Sequence, residues 1–146
     1  MPDIDFIRRE IERMRTQVHR QRGEIRQLQR AGIPVAAASD NCRDPFFHFG
    51  DHDLLEVFRE FVRIAHTDTD YPLWYPSVTR TAASLMRLGE LGRIVVGATA
   101  DLVLFRGRSM SELLSRPQSD RVVLRRGQAV DTTLPDYREL DSLFAS

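Results

Sequence analysis

The sequence predicts an α/β fold, and three patterns along the chain support this prediction. The first is a heptad repeat of apolar residues near the N-terminus. The second is a short apolar run that ends in an acid and is followed by a loop and a helical pattern. The third is a series of short β-rich runs separated by turns. We place the segments at 1–32, 33–92 and 93–131, followed by a weakly amphipathic tail at 132–146.

Composition restricts the class of protein further. The chain has 146 residues, of which 42% are apolar and 29% charged, as expected for a globular chain. No apolar run reaches the roughly 20 residues of a membrane span, and the N-terminus has no apolar signal core. We therefore expect a cytoplasmic protein without a membrane partner. The single cysteine, Cys42, excludes an internal disulfide and a multi-cysteine zinc site.

The first segment predicts a long helix. Its apolar residues alternate at spacings of three and four, which gives four heptads; the a positions are Ile4, Ile11, Val18 and Ile25, and the d positions are Ile7, Met14, Gln21 and Leu28. β-Branched residues at a with mostly unbranched residues at d favour a parallel two-stranded coiled coil. Asp3 is a candidate N-cap, and the helix is expected to stop at Gly32.

Two explanations of this helix remain open. It can pair with a second copy, since Glu10 at g can face Arg15 at e of a partner helix, or it can lie as an amphipathic helix on its own chain.

The charge of the chain is unevenly distributed. Residues 1–32 carry 8 Arg against 5 acids, a net of +3, while residues 33–146 carry 13 Arg against 16 acids, a net of −3. The Arg residues surround the helix and alternate with acids, which indicates a solvated surface and no nucleic-acid partner.

The second segment predicts a βα unit. IPVAAASD, residues 33–40, is an apolar run ending at Asp40 and is typical of a buried parallel strand. A loop rich in Asp, Pro and aromatic residues follows, and Asp51 or Asp53 can cap a helix over 52–66. Ser77 is expected to cap a further helix that runs to Leu88.

The third segment predicts short antiparallel strands. Ile94–Val96 and Leu102–Phe105 are β-rich runs around Gly97, and RVVLRRGQAV indicates another strand with a turn at Arg126–Gly127. The tail then carries Tyr137, Leu140, Leu143 and Phe144 at weakly amphipathic spacing.

Three blocks of these segments resemble one family. They are PVAAASDNCRDPFFHFGDHDLLEVFR, SVTRTAASLMRLGELGRIVVGATADLVLF and DRVVLRRGQAV, and they resemble the C-terminal third of an amidohydrolase-superfamily enzyme of the cytosine deaminase branch over about residues 31–130. The resemblance implies the C-terminal fragment of a (β/α)₈ metal-dependent hydrolase barrel, plus strands of the accessory β-sandwich, with the heptad helix in front. The most specific motifs are S-D-N-x-R-D-P-aromatic and GRIVVGATADLV.

The resemblance also implies roles for individual residues. Asp40 matches the acid that ends the eighth barrel strand, binds the catalytic metal and takes a proton from metal-bound water. Asn41 stands where relatives often have a second acid, which puts the exact substrate in doubt, because an amide hydrogen-bonds but carries no charge. Phe46 matches an aromatic that lies against the heterocycle, and Asp44 shapes the same loop. Loop packing alone explains Phe46 and Asp44 equally well.

Most of the family's metal ligands have no counterpart in this sequence. The implied cofactor is a divalent metal, zinc or iron, but the family's H-x-H pair, later histidines and catalytic glutamate are absent, and His48 and His52 are expected to be loop residues. We therefore expect an amidohydrolase that is inactive as this chain alone and takes a small heterocyclic substrate only if the barrel is completed. The alternative is an oligomerising or partner-binding protein that carries an enzyme remnant. Self-association through the helix or through exposed barrel edges is the expected partnership.

Overall fold

The computed structural model describes residues 3–133 and 136–144 and divides the chain into two units. Residues 1–98 form a helical unit, and residues 99–146 form a unit with a small antiparallel sheet. In the described part of the chain, no helix is long and apolar enough to cross a membrane.

The predicted N-terminal helix is confirmed as α1, Ile4–Arg30. It begins where the Asp3 carboxylate accepts a hydrogen bond from the Asp5 amide at 3.2 Å. It ends where Gly32 takes a positive φ of 72° and the following amide bonds back to the Leu28 carbonyl at 2.9 Å. A glycine in this left-handed conformation commonly terminates helices, because it has no Cβ to strain the backbone.

The helix α2, Leu54–Ala65, is confirmed with Asp53 as its cap. The Asp53 carboxylate accepts from the Leu55 amide at 3.0 Å. One face of α2 is buried through Phe58, Val62 and Ala65. This face forms the core of the helical unit together with Trp74 and Ala83, and the rings of Phe61 and Trp74 lie 5.5 Å apart.

The third helical region is shorter than predicted. Two 3₁₀ turns, Tyr71–Leu73 and Tyr75–Val78, precede α3, Arg80–Leu85. Ser77 was expected to cap this helix, and that prediction is wrong, because Ser77 is buried inside the second turn. Pro72 and Pro76 lie in the first two positions of the 3₁₀ turns. Backbone N–H groups at these positions have no partner within a helix, so proline, which has no N–H, costs no helical hydrogen bond there.

The prediction of a buried strand over 33–40 is also wrong. These residues form no strand and are half-buried or exposed. The Ala37 amide donates to the Ser77 carbonyl at 3.1 Å, which joins the segment to a helical turn. A parallel strand is stable only between neighbouring strands, and the described residues of the helical unit contain no strand with which this run can pair. The β-rich run Ile94–Val96 likewise forms no strand, and Ile94 is 89% exposed.

The antiparallel sheet of the second unit agrees with the prediction. It has the order β1 (Leu102–Leu104), β2 (Val122–Arg125) and β3 (Gln128–Ala129), and Val103 is paired with Val123. The turn at Arg126–Gly127 has positive φ at both residues, 50° and 78°, as the tightest hairpins require. An unpredicted short helix, α4, Met110–Leu114, lies between β1 and β2.

The tail contains a 3₁₀ turn at Tyr137–Leu140 and the short helix α5, Asp141–Phe144. Its four apolar residues are exposed. Positions 134–135 and 145–146 of the predicted tail lie outside the described residues.

Gly92 and Asp101 of the GRIVVGATADLV motif have structural explanations in this chain. An added Cβ at Gly92 would lie 2.6 Å from the Thr79 carbonyl carbon, so the backbone approaches too closely for a side chain. Asp101 fixes the hairpin, because its carboxylate accepts from the Arg126 amide at 2.7 Å and faces Arg125 at 3.2 Å. Both residues therefore maintain the fold.

Candidate functional site

The loop that follows Ala36–Ser39 is organised around the Asp44 carboxylate. One oxygen accepts from the Asn41 side-chain amide at 2.8 Å and from the Cys42 amide at 3.3 Å. The other oxygen accepts from the amides of Phe46 and Phe47, both at 2.9 Å. The Asn41 amide is the main reason that the pKa of Asp44 is lowered below its ordinary value, and the three backbone amides add to it.

These contacts give Asp44 a clear structural role. Both of its oxygens are occupied within the loop, and the Asp44 amide closes the turn by donating to the Phe47 carbonyl at 3.0 Å. An Asp whose side chain bonds to the backbone two residues ahead is a common turn former. The predicted contact between Asp44 and substrate stays a prediction.

Asp40 begins this loop in a left-handed backbone conformation, with φ of 58°. The loop holds two more such residues without glycine's freedom, Arg43 and His52. Non-glycine residues adopt positive φ only at a cost of about 1–2 kcal/mol each. Three of them within 13 positions indicate that surrounding contacts determine the path of this loop. Asp40 is an exposed residue.

The loop, α1 and α2 enclose a cleft of about 630 Å³ in the helical unit. Its walls include Val18 and Ile25 of α1, Asn41 of the loop and Phe61 of α2. Acidic side chains lie along the α2 side, and they are Asp51, Asp53, Glu56 and Glu60. The volume lies in the range of small-molecule sites, which run from about 300 to 1,000 Å³.

The structure brings together only some of the predicted site residues. Asn41 and Asp44 are in direct contact, and Asn41 also lines the cleft. Phe46 is bonded to Asp44 through its backbone, but its ring is 86% exposed and lies outside the cleft lining.

The aromatic residues that do line the cleft are Phe47 and Phe49, whose rings meet edge-to-face at 5.7 Å. Neither ring was predicted from the sequence to contact a ligand. The run FFHF was the available signal, but adjacent aromatics in a loop give no indication of which ring turns inward.

Arg22 and Arg26 connect α1 to the end of α2. The Arg22 guanidinium donates to the Ile64 carbonyl, and that of Arg26 donates to the His66 carbonyl. Carbonyls at a helix C-terminus lack helical partners and carry the negative end of the helix dipole, so cationic donors stabilise them. The C-terminal half of α1 therefore lies on its own chain.

The described residues, 3–133 and 136–144, include no group of three or more His, Cys, Asp or Glu side chains that could hold a metal ion. Asp40 offers one carboxylate, and His48 and His52 complete no such group with it. A catalytic zinc needs about three protein ligands. The side chains of this chain therefore do not fit a catalytic metal by themselves.

Comparison with known proteins places these motifs in a family. The model of the family described as "Amidohydrolase family" matches residues 4–134, which includes α1 as well as the loop and the sheet. The chain belongs to the amidohydrolase family. The match begins further toward the N-terminus than the resemblance over residues 31–130 that the motifs indicated, so α1 lies within the family's domain.

Two relatives of this amidohydrolase are deaminases. A pterin deaminase from Rhizobium rhizogenes is 54% identical over 122 residues, which cover 84% of this chain and 28% of the relative. The crystal structure of 5-methylcytosine deaminase from Klebsiella pneumoniae, liganded with phosphonocytosine, superposes with a TM-score of 0.61 at 24% identity. That superposition covers 78% of this chain and 28% of the other, and it supports the fold alone. The chain therefore spans a little over a quarter of the length of either protein, and its resemblance to a deaminase-like amidohydrolase is confirmed.

Proposed function

We propose that this chain forms part of a hydrolytic deaminase that acts on cytosine or a related cyclic amidine. The observation that carries the proposal is Asp40, the first acid of the family's S-D-N-x-R-D-P motif, which stands at the head of a loop with a constrained backbone. Membership of the amidohydrolase family and two deaminase relatives support the reaction class. Residues 33–40 form no strand in this chain; in the proposed enzyme they pair as the last barrel strand only when other polypeptide supplies the neighbouring strands.

In the proposed reaction, Asp40 acts first as the general base and then as the general acid. Water attacks the ring carbon that carries the amino group, a carbon–oxygen bond forms, and the carbon–nitrogen bond then breaks to release ammonia. A carboxylate beside that carbon accepts a proton from the water and returns it to the leaving nitrogen. Asp40 is a suitable candidate because its side chain is exposed and its backbone is held by the loop.

Substrate contacts are assigned to the loop that Asp44 organises. Asn41 can hydrogen-bond a ring nitrogen or an amino group, and the exposed ring of Phe46 offers a flat apolar surface to a heterocycle. Asp44 acts as a positioning residue, since it bonds to both Asn41 and the Phe46 amide.

We also propose that the divalent metal implied by the family, zinc or iron, is bound only when other polypeptide adds ligands to Asp40. On its own, this chain is expected to be inactive.

The decisive test uses a chimera. In the pterin deaminase of Rhizobium rhizogenes, the 122-residue matching segment is replaced by the corresponding segment of this chain, and ammonia release is measured with cytosine, 5-methylcytosine and pterin. We expect turnover by the chimera and a loss of about 100-fold or more in its Asp40→Asn variant, the size typical of a missing general base. His48→Ala, at an exposed loop position, is the matched control and should leave turnover unchanged.

Two results would contradict the proposal. Full activity of the Asp40→Asn chimera would remove Asp40 from the reaction. Ammonia release by the isolated chain with added zinc or ferrous iron, abolished in Asp40→Ala, would overturn its inactivity alone.

A second candidate function is partner binding through α1. It is favoured by the exposure of apolar heptad residues in the first half of this helix, from Ile4 to Met14.

A further inference from the structure

The apolar stripe of α1 is partly covered by its own chain in the second half of the helix and is open to solvent in the first half. In the second half of α1, Val18 and Ile25 are half-buried in the cleft and Arg22 and Arg26 bond to the end of α2, while Leu28, near the end of the helix, is 40% exposed. Toward the N-terminus the same stripe is uncovered; Ile4, Ile7, Ile11 and Met14 are 41–66% exposed. The first two heptads therefore present an apolar seam that the described residues of this chain leave open.

We propose that this seam pairs with the same seam of a second copy of the chain, as a short parallel two-stranded coiled coil over the two heptads of residues 4–17. The a positions of the seam hold Ile4 and Ile11, and β-branched residues at a favour two parallel strands. An apolar stripe that repeats every seven residues packs as knobs into holes of a facing helix.

The charges beside the seam select this partner and its direction. The e positions of the first three heptads are the basic residues Arg8, Arg15 and Arg22, and the g positions of the first two heptads are Glu10 and Gln17. In a parallel pair each g residue faces the e residue five positions later on the other helix. Glu10 then faces Arg15 of the partner subunit, whereas Asp3 precedes the helix and caps it through the Asp5 amide.

An antiparallel pair would oppose like charges. It sets e against e and g against g, so arginines would face arginines and acids would face acids along the seam. The ion pairs that Arg8 and Glu10 make within α1, with Asp5 at 3.5 Å and Arg13 at 3.4 Å, are exposed and therefore weak. They can exchange for pairs across the dimer at small cost.

Gln21 marks the end of the coil. It occupies the d position that follows Val18, and both residues line the cleft. A polar residue at a seam position weakens pairing there. The two helices are therefore expected to separate before Val18, where the stripe begins to be covered by its own chain.

The test is the association state of the full chain, measured by sedimentation equilibrium across the micromolar range. Two heptads give a small interface, so we expect a weak dimer in reversible equilibrium. Ile11→Asp places a charge in the seam and should raise the dimer dissociation constant by about tenfold or more. Phe6→Asp is the matched control, because Phe6 is 53% exposed at position c, away from the seam, and this variant should still dimerise.

Charge exchange tests the direction. Glu10→Arg should weaken the dimer, and Glu10→Arg combined with Arg15→Glu should restore it, because the pair between copies is re-formed with reversed signs. In a Cys42→Ser background, Ile4→Cys should form a disulfide between the two copies under oxidising conditions, since only a parallel, in-register pair brings these positions together. Circular dichroism checks that each variant keeps its helix.

Three outcomes would overturn the inference: a monomer at all concentrations, a dimer that Ile11→Asp leaves intact, or a dimer in which the Ile4→Cys sites do not cross-link. A monomer that binds a co-expressed remainder of an amidohydrolase barrel would assign the seam to that partner instead. None of these outcomes bears on Asp40, so the inference and the proposed deaminase function succeed or fail separately.

Discussion

Replacing Gly92 by alanine should destabilise the helical unit far more than the same change at Gly89. Both glycines have positive φ, 76° and 63°, so alanine at either position takes a strained backbone that costs about 1–2 kcal/mol. The surroundings differ. A Cβ at Gly92 would lie 2.6 Å from the Thr79 carbonyl carbon and 2.7 Å from its oxygen, whereas a Cβ at Gly89 would meet nothing within 4 Å.

The steric contact sets the size of the difference. Backbone atoms at 2.6 Å cannot give way by rotating a side chain, so the segment carrying Gly92 must move away from the start of α3. Overpacking of this kind costs about 1–3 kcal/mol. Gly92→Ala should therefore lose about 2–5 kcal/mol in total, against about 1–2 kcal/mol for Gly89→Ala. The entropy that alanine removes from the unfolded chain is the same for both variants and cancels in the comparison.

Urea denaturation followed by tryptophan fluorescence measures this difference. Trp74, the only tryptophan of the chain, is buried in the same unit as both glycines and reports its unfolding. Unfolding free energies of the two variants that agree within about 0.5 kcal/mol would refute the steric argument. Failure of Gly92→Ala to fold, with Gly89→Ala folded, would agree with it.

Two further predictions follow from single side chains. Trp74→Ala should cost about 3–5 kcal/mol, because the ring is only 2% exposed, whereas Tyr75→Ala, at 44% exposure, should cost much less; thermal unfolding by circular dichroism compares them. For Asp44, the folded pKa lies below the unfolded value of 3.8, so its contribution to loop order is present above pH 3.8 and disappears as the pH falls through the folded pKa. The NMR signals of the Phe46 and Phe47 amides should titrate with a midpoint below 3.8, and a midpoint above it would contradict the hydrogen-bond argument.

The elements that the sequence predicted well are those whose stability is local. The helix α1 has a continuous heptad pattern, a capping Asp3 and a terminating Gly32, and α2 has a capping Asp53 and an apolar face. The hairpin between β2 and β3 follows from the turn at Arg126–Gly127. In each case the information lies within a few residues of the element that it specifies. The motifs around Asp40 and Gly92 likewise sufficed to indicate the family.

The incorrect predictions concern elements that need a distant partner. The run 33–40 has the composition of a buried parallel strand, yet it forms none here, because strand hydrogen bonds require neighbouring strands. Ser77 has the chemistry of a helix cap, but packing buries it in a 3₁₀ turn. The orientation of the rings of Phe46, Phe47 and Phe49 was equally undetermined, since each has the same local character.

Sequence alone therefore determined where this chain becomes helical, where it turns back and to which family it belongs. Tertiary structure decided which of its apolar surfaces are covered. The heptad stripe of α1 is apolar at every position except Gln21, but only its second half meets its own chain, through Arg22, Arg26 and the cleft. The physical reason is that burial depends on what lies opposite a surface, and a repeating pattern in one helix specifies the shape of a partner without specifying which partner is present.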